Sequence, residues 1–215
     1  MKPVICLVTD RRRFPGGSEA ALLECIAAAA RAGVHLIQIR ERDLDARALT
    51  RIAVAAVEAV RGTSTRILIN DRTDVALAAG AHGVHLRGDS VPAARVREIV
   101  PPGFLIGRSV HSAEEAGREA RAGGLDYLMF GTVFDTASKP GLVGSGPETL
   151  AAVARVIPLP VLGIGGIDLS RMGAVAEAGA AGFAGIGLFV DSSPDGLQVV
   201  VRQASLAFDT LSRVP

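Results

Sequence analysis

Short runs of Val, Ile and Leu alternate along the chain with Ala-rich stretches whose apolar residues recur at helical spacing. The apolar runs are continuous rather than mixed with polar positions, as in parallel strands covered by helices. The pattern predicts strands over Val4–Thr9, His35–Ile39, Arg66–Asn70, Gly83–Leu86, Leu105–Arg108, Tyr127–Gly131, Pro160–Ile164 and Gly182–Ile186. Helices are predicted over Ser18–Ala32, Asp45–Val60, Thr73–Ala79 and Pro92–Val100, with Gly33 and Gly80 as stops. A further helix opens at Ser112, with Glu115 as its capping-box partner. The remaining helices span Pro147–Val156, Leu169–Ala178 and Pro194–Leu211.

Eight strand–helix pairs in 215 residues average about 27 residues each, lean but sufficient for a (β/α)8 TIM barrel. A doubly wound open sheet fits less well, because no glycine fingerprint follows the first strand and no reversal point is evident. No linker interrupts the alternation, so residues 1–215 read as a single TIM-barrel domain.

Composition narrows the function classes. A hydrophobic content of 49% excludes an intrinsically disordered chain. The balance of 23 basic against 22 acidic side chains, with 4% aromatics, gives no surface suited to nucleic acid. No apolar stretch reaches the roughly 18 residues of a membrane span. Met1-Lys2-Pro3 enters a short apolar run directly, unlike a secretory leader. Cys6 and Cys25 lack metal-site spacing and read as reduced core thiols. A cytoplasmic protein is expected.

In such a barrel, chemistry gathers at the C-terminal ends of the strands. The unusual polar residues fall there: Gln38, Arg40 and Glu41, then Asn70 and Asp71, His85, Ser109 and His111, and finally Thr136 and Lys139. Gly165-Gly166 after strand seven, and Gly185-Ile186-Gly187 at the end of strand eight, are either a phosphate cradle or two tight turns. Gly141, Gly144 and Gly146 make either a lid or an ordinary connection. Alternation places Gln38 and Arg40 on the barrel-mouth side of strand two. Arg40 then awaits a substrate anion, unless Glu41 pairs with it. Asp71 is a magnesium ligand or the cap of the next helix. His111, just before a helix N-terminus, suits proton transfer near neutral pH, although a surface loop histidine is the alternative. His35 and His82 read as structural, and no histidine has zinc-site spacing.

These residues together resemble the thiamin phosphate synthase/TenI superfamily over essentially the whole chain. The likeness lies in QIRER at 38–42, LINDRTDVALAAGAHGVHL at 68–86, IGRSVHSAEEA at 106–116, DYLMFGTVFDTASKPG at 126–141 and GIGGI at 163–167. The synthase branch joins a hydroxymethylpyrimidine diphosphate to a thiazole phosphate and releases pyrophosphate. Its pattern is Gln-x-Arg-x-Lys, Asn-Asp, His-x-Gly-Gln-x-Asp and Thr-x-Thr-Lys along strands two, three, four and six. Gln38, Arg40, Asn70, Asp71, Ser109, Thr136 and Lys139 match, and Ser138 keeps a hydroxyl. Arg42 replaces the Lys, Ser90 stands at the second metal carboxylate, and Gly187 stands at a phosphate-binding Ser.

Residues 107–112 and 39–42 look more like the TenI branch, whose thiazole tautomerases aromatise a thiazole carboxylate phosphate by moving a proton. The resemblance therefore implies, as the leading expectation, a tautomerase without metal or cofactor acting on a small phosphorylated thiazole. His111 is its acid/base, Arg40 holds the carboxylate and Gln38 orients the ring. Ser109, Thr136, Ser138, Lys139, Gly165, Gly166, Ile186 and Gly187 bind substrate and phosphate. The alternative is the synthase itself, with magnesium on Asp71. A non-catalytic phosphate-binding regulatory barrel is the third reading. Relatives commonly form homodimers, and one is expected here.

Overall fold

The computed structural model describes residues 3–136, 141 and 143–211 of the chain. Eight parallel strands close into a barrel in chain order: β1 (Val4–Val8), β2 (Leu36–Ile39), β3 (Arg66–Asn70), β4 (Gly83–Leu86), β5 (Leu105–Val110), β6 (Tyr127–Gly131), β7 (Val161–Ile164) and β8 (Gly182–Gly185). The helices are α1 (Glu19–Ala32), α2 (Ala46–Ala59), α3 (Thr73–Ala78), α4 (Ala93–Arg97), α5 (Ala113–Ala122), α6 (Pro147–Val156), α7 (Met172–Glu177), α8 (Gly187–Val190) and α9 (Pro194–Leu211). The TIM barrel read from the sequence is the fold.

Three helix starts follow from side chains that accept from otherwise orphaned amides. Ser18 accepts from Ala21, Asp45 from Ala48 and Ser112 from Glu115. Elsewhere the boundaries move. β5 runs two residues past the predicted end, because Ser109 and Val110 pair with Met129 and Phe130. α7 starts three residues late, since Asp168 draws the amides of Ser170 and Arg171 into a turn at 2.9 and 3.1 Å. Two 3₁₀ turns, Arg11–Arg13 and Pro15–Gly17, and the short α8 have no strong periodicity and were not predicted.

Both faces of the strands are apolar, so the strands read as unbroken runs. Outward residues such as Ile37, Ile67, Phe130 and Phe183 pack under the helices. Inward residues such as Cys6, Leu36, Leu68, Tyr127 and Met129 fill the barrel. Gly107 makes room for this filling: a Cβ there would come within 2.0 Å of the Tyr127 ring. His35 and His82 each accept a backbone N–H on Nδ1, from Ile5 at 3.2 Å and Ile67 at 3.0 Å, as their structural reading expects. Burial pushes the Cys6 thiol up to about 12 and the Cys25 thiol to about 11, so both are inert packing groups. Among the described residues, no helix is long and apolar enough to cross a membrane.

Candidate active site

The inward positions change from apolar to polar at the C-terminal end of the barrel. Gln38 from β2, Asn70 from β3, His85 from β4 and Ser109 from β5 face the mouth, with Asn70 and His85 in register. Arg40 lies one residue beyond the end of β2, near enough for its charge to act on His85. Gln38 is 3% exposed and donates from Nε2 to Asn70 Oδ1 at 2.9 Å. Its Oε1 is buried and receives no donor among the described residues. A buried acceptor left unmade costs about 1–3 kcal/mol, so this oxygen is primed for a ligand N–H.

His85 sits inside the polar ring rather than at the surface. One ring nitrogen meets Tyr127 Oη at 2.9 Å and the other Ser109 Oγ at 2.8 Å. Burial, then the charges of Arg108 and Arg40, hold its pKa down at about 3, so the imidazole is neutral. It positions the Ser109 hydroxyl.

Arg40 has no ion pair among the described residues. Burial and the nearby charge of Arg42 lower its pKa from the usual arginine value. The alternative partner, Glu41, is committed elsewhere. It accepts from Thr9 Oγ1 at 2.6 Å and from the Arg11 amide at 3.0 Å. The structural Arg40–Glu41 pair left open by the sequence is therefore not formed, and the Arg40 guanidinium has no acidic partner in ion-pair contact among the described residues.

Asp71 is not the helix cap that the sequence allowed. Arg72 occupies the N-cap position of α3, without a side-chain cap bond. Asp71 has φ of +62°, a left-handed backbone unusual for a non-glycine residue. Its Oδ1 accepts the Ser90 hydroxyl, and its Oδ2 faces Arg87 Nη1 at 3.6 Å. Arg87 also pairs with Asp89.

This arrangement does not fit the magnesium site expected for the synthase branch. A hard dication beside a diphosphate calls for carboxylates with free lone pairs. Here the Asp71 carboxylate accepts a hydroxyl and faces the Arg87 guanidinium, which also holds Asp89. Among the described residues, no three His, Cys, Asp or Glu side chains cluster as metal ligands.

His111 is exposed. Its amide donates to Glu115 Oε2 at 2.7 Å, while Ser112 Oγ caps the Glu115 amide at 3.0 Å. The capping box thus reaches one residue further out than its usual span. The His111 ring donates from Nδ1 to the Gly131 carbonyl, an acceptor-only group. That bond ties the imidazole to the end of β6 and leaves only Nε2 for other partners.

Gly165 and Gly166 have φ of +104° and +61°. A Cβ on Gly166 would come within 2.3 Å of the Asp135 carbonyl, so close packing of two loops demands this glycine. Arg171 donates to the Gly166 carbonyl at 2.6 Å and lies 5.0 Å from the centre of the Phe134 ring. A Cβ on Gly187 would come within 3.3 Å of Arg13 Nη2, and Arg13 Nε donates to Asp191 Oδ1 at 3.0 Å. Arg13 therefore overhangs the backbone after Ile186, a cation that the sequence reading missed. The signal was available: Arg11-Arg12-Arg13 lies just past the C-terminal end of β1, after Thr9 and Asp10.

Thr136 ends the described part of the loop after β6, and Ser138 and Lys139 lie outside the described residues. The lid expectation over 141–146 is described only in part. Gly144 donates to Asp135 Oδ1 at 2.7 Å and Ser145 to the Thr132 carbonyl at 2.9 Å, which pins the returning arm to β6.

Comparison with known proteins places these features. The family described as "Thiamine monophosphate synthase" matches residues 5–189. The thiamine-phosphate synthase of Roseiflexus sp. (strain RS-1) is 41% identical over 196 residues, covering 89% of this chain and 80% of the relative. That of Methanoculleus marisnigri is 42% identical over 185 residues, covering 86% of both chains. The thiamine phosphate pyrophosphorylase structure from Pyrococcus furiosus superposes with a TM-score of 0.82 at 28% identity, covering 98% of this chain and 97% of that one. These synthase relatives overturn the tautomerase expectation, which rested on residues 39–42 and 107–112 and on the departures at Arg42, Ser90 and Gly187.

Proposed function

The chain belongs to the thiamine monophosphate synthase family, and on that premise we propose that it joins a hydroxymethylpyrimidine diphosphate to a thiazole phosphate and releases pyrophosphate. One observation carries the reading onto these residues: the locked Gln38–Asn70 pair offers a buried Oε1 without a donor among the described residues, two positions before Arg40, which has no ion pair among them. An amino-substituted pyrimidine supplies the N–H that Oε1 lacks. Its diphosphate supplies the anion that Arg40 lacks.

The remaining roles follow from position. Ser109, held by His85, borders the pyrimidine pocket. Backbone around Gly165, Gly166, Ile186 and Gly187, with Arg13 above it, takes the thiazole phosphate. Thr136, Ser138 and Lys139 are assigned to the diphosphate from their place in the loop after β6.

The reaction breaks the bond between the pyrimidine methylene and the diphosphate oxygen, and the methylene carbon joins the thiazole nitrogen. That nitrogen already holds a lone pair, so no proton has to be removed. The protein's work is to align two heterocycles and to stabilise the charge on the leaving diphosphate. A general base is dispensable, which agrees with an imidazole at His111 tied to the Gly131 carbonyl. Incubation of the purified protein with both substrates, followed by chromatography for thiamin phosphate, tests the assignment.

A further inference from the structure

Ser90, Asp71, Asp89 and Arg87 close a small circuit at the end of β3 and β4. The Ser90 hydroxyl donates to Asp71 Oδ1, and the Arg87 amide donates back to Ser90 Oγ at 2.9 Å. The Arg87 guanidinium then spans Asp71 and Asp89. Its side chain remains 46% exposed, so the guanidinium is still open to a ligand beside these two carboxylates.

The loop that carries Arg87 is held from below. Arg108 on β5 is 2% exposed, and its guanidinium donates to the Gly88 carbonyl at 3.2 Å and to the Val91 carbonyl. Its Nε faces Glu119 at 3.3 Å. A buried cation bonded to two loop carbonyls fixes the backbone of residues 88–91, and with it the reach of Arg87.

We propose that Arg87 is the built-in cation of this site and receives the diphosphate group directly, in the place where a metal ion would otherwise sit. The inference rests on the synthase reading above. The residues support it: relative to the two-carboxylate pattern, a carboxylate is replaced by Ser90 and an arginine is added beside Asp71, so the chain itself carries a cation at this strand end. The guanidinium is also suited by shape, because its forked N–H groups match phosphate oxygens in pairs. Asp71 and Asp89 then orient the fork. When the methylene–oxygen bond breaks, its electron pair stays on the diphosphate oxygen and is met by Arg87 and Arg40. The thiazole nitrogen supplies the pair for the new bond, and no redox partner or proton is needed.

Titration calorimetry with inorganic pyrophosphate tests this directly. The wild-type chain is measured with excess EDTA and again with magnesium, beside Arg87→Ala, Arg87→Gln and the double variant Arg87→Gly/Ser90→Asp. The wild type is expected to bind in EDTA, with affinity changing less than about threefold on adding magnesium, and either single variant to lose about tenfold or more, the worth of one charged hydrogen-bonding group. The double variant is expected to bind only with magnesium. Wild-type binding that requires magnesium, or single variants that bind as the wild type does in EDTA, overturns the proposal. Arg87-dependent binding in EDTA without any thiamin phosphate formed overturns the synthase reading and leaves the cation assignment standing.

Discussion

Gln38 Nε2 donates to Asn70 Oδ1 across the β2–β3 pair, and this single 2.9 Å bond fixes which end of the carboxamide faces the barrel mouth. Asn70→Ala frees the amide to rotate without touching the apolar core. Its kcat/KM for the pyrimidine diphosphate is expected to fall about tenfold to a hundredfold, the worth of one misoriented buried hydrogen bond. Thermal unfolding checks the other half of the claim, with Tm expected to stay within a few degrees of wild type.

Arg40 presents the opposite balance between function and stability. It is partly buried and has no acidic partner in ion-pair contact among the described residues. Arg40→Met removes a desolvated charge while keeping much of the packing, so Tm is expected to hold or rise. Steady-state kinetics on the same variant should show kcat/KM reduced by about a hundredfold or more, because a charge-assisted contact to the diphosphate is gone.

His111→Ala distinguishes a tether from a proton shuttle. The bond lost is the one from Nδ1 to the Gly131 carbonyl. Turnover is expected to fall less than about tenfold, against the 10²–10⁴-fold that removal of a general acid–base costs. A pH–rate profile that keeps its shape in the variant completes the check.

The buried His85 makes stability depend on pH. Its pKa is about 3 in the folded chain, below its ordinary value of 6.5, so the unfolded chain binds the extra proton first. Stability is therefore full above pH 6.5 and is lost as pH falls below it, at up to about 1.4 kcal/mol per pH unit for this group. His82, also lowered by burial, acts in the same direction. Urea midpoints between pH 7.5 and 5 should fall for the wild type and fall less steeply for His85→Gln.

Much of this was legible from residue order. Unbroken apolar runs with helical spacers specify a parallel closed sheet, and period-two alternation places Gln38 beside Asn70 at the mouth end of β2. The misses have physical causes. Ser109 reads as the start of a loop because it is polar, yet its backbone pairs with Met129 and extends β5. The buried setting of His85 is not readable locally, because its partner Tyr127 lies 42 residues away. Arg13 drew no notice, since the approach to Gly187 spans most of the chain. The branch of the family was misjudged for a related reason. Ser90 and Arg87 signal a changed metal site, and a changed metal site is a statement about a cation, not about which bond is made.

The most direct test of the account mixes purified protein with hydroxymethylpyrimidine diphosphate and thiazole phosphate, in EDTA and in magnesium, and quantifies pyrophosphate and thiamin phosphate together. The account predicts both products in equal amounts, with kcat/KM reduced about a hundredfold or more in Arg40→Met. Absence of both products under either condition, from folded protein, would contradict it.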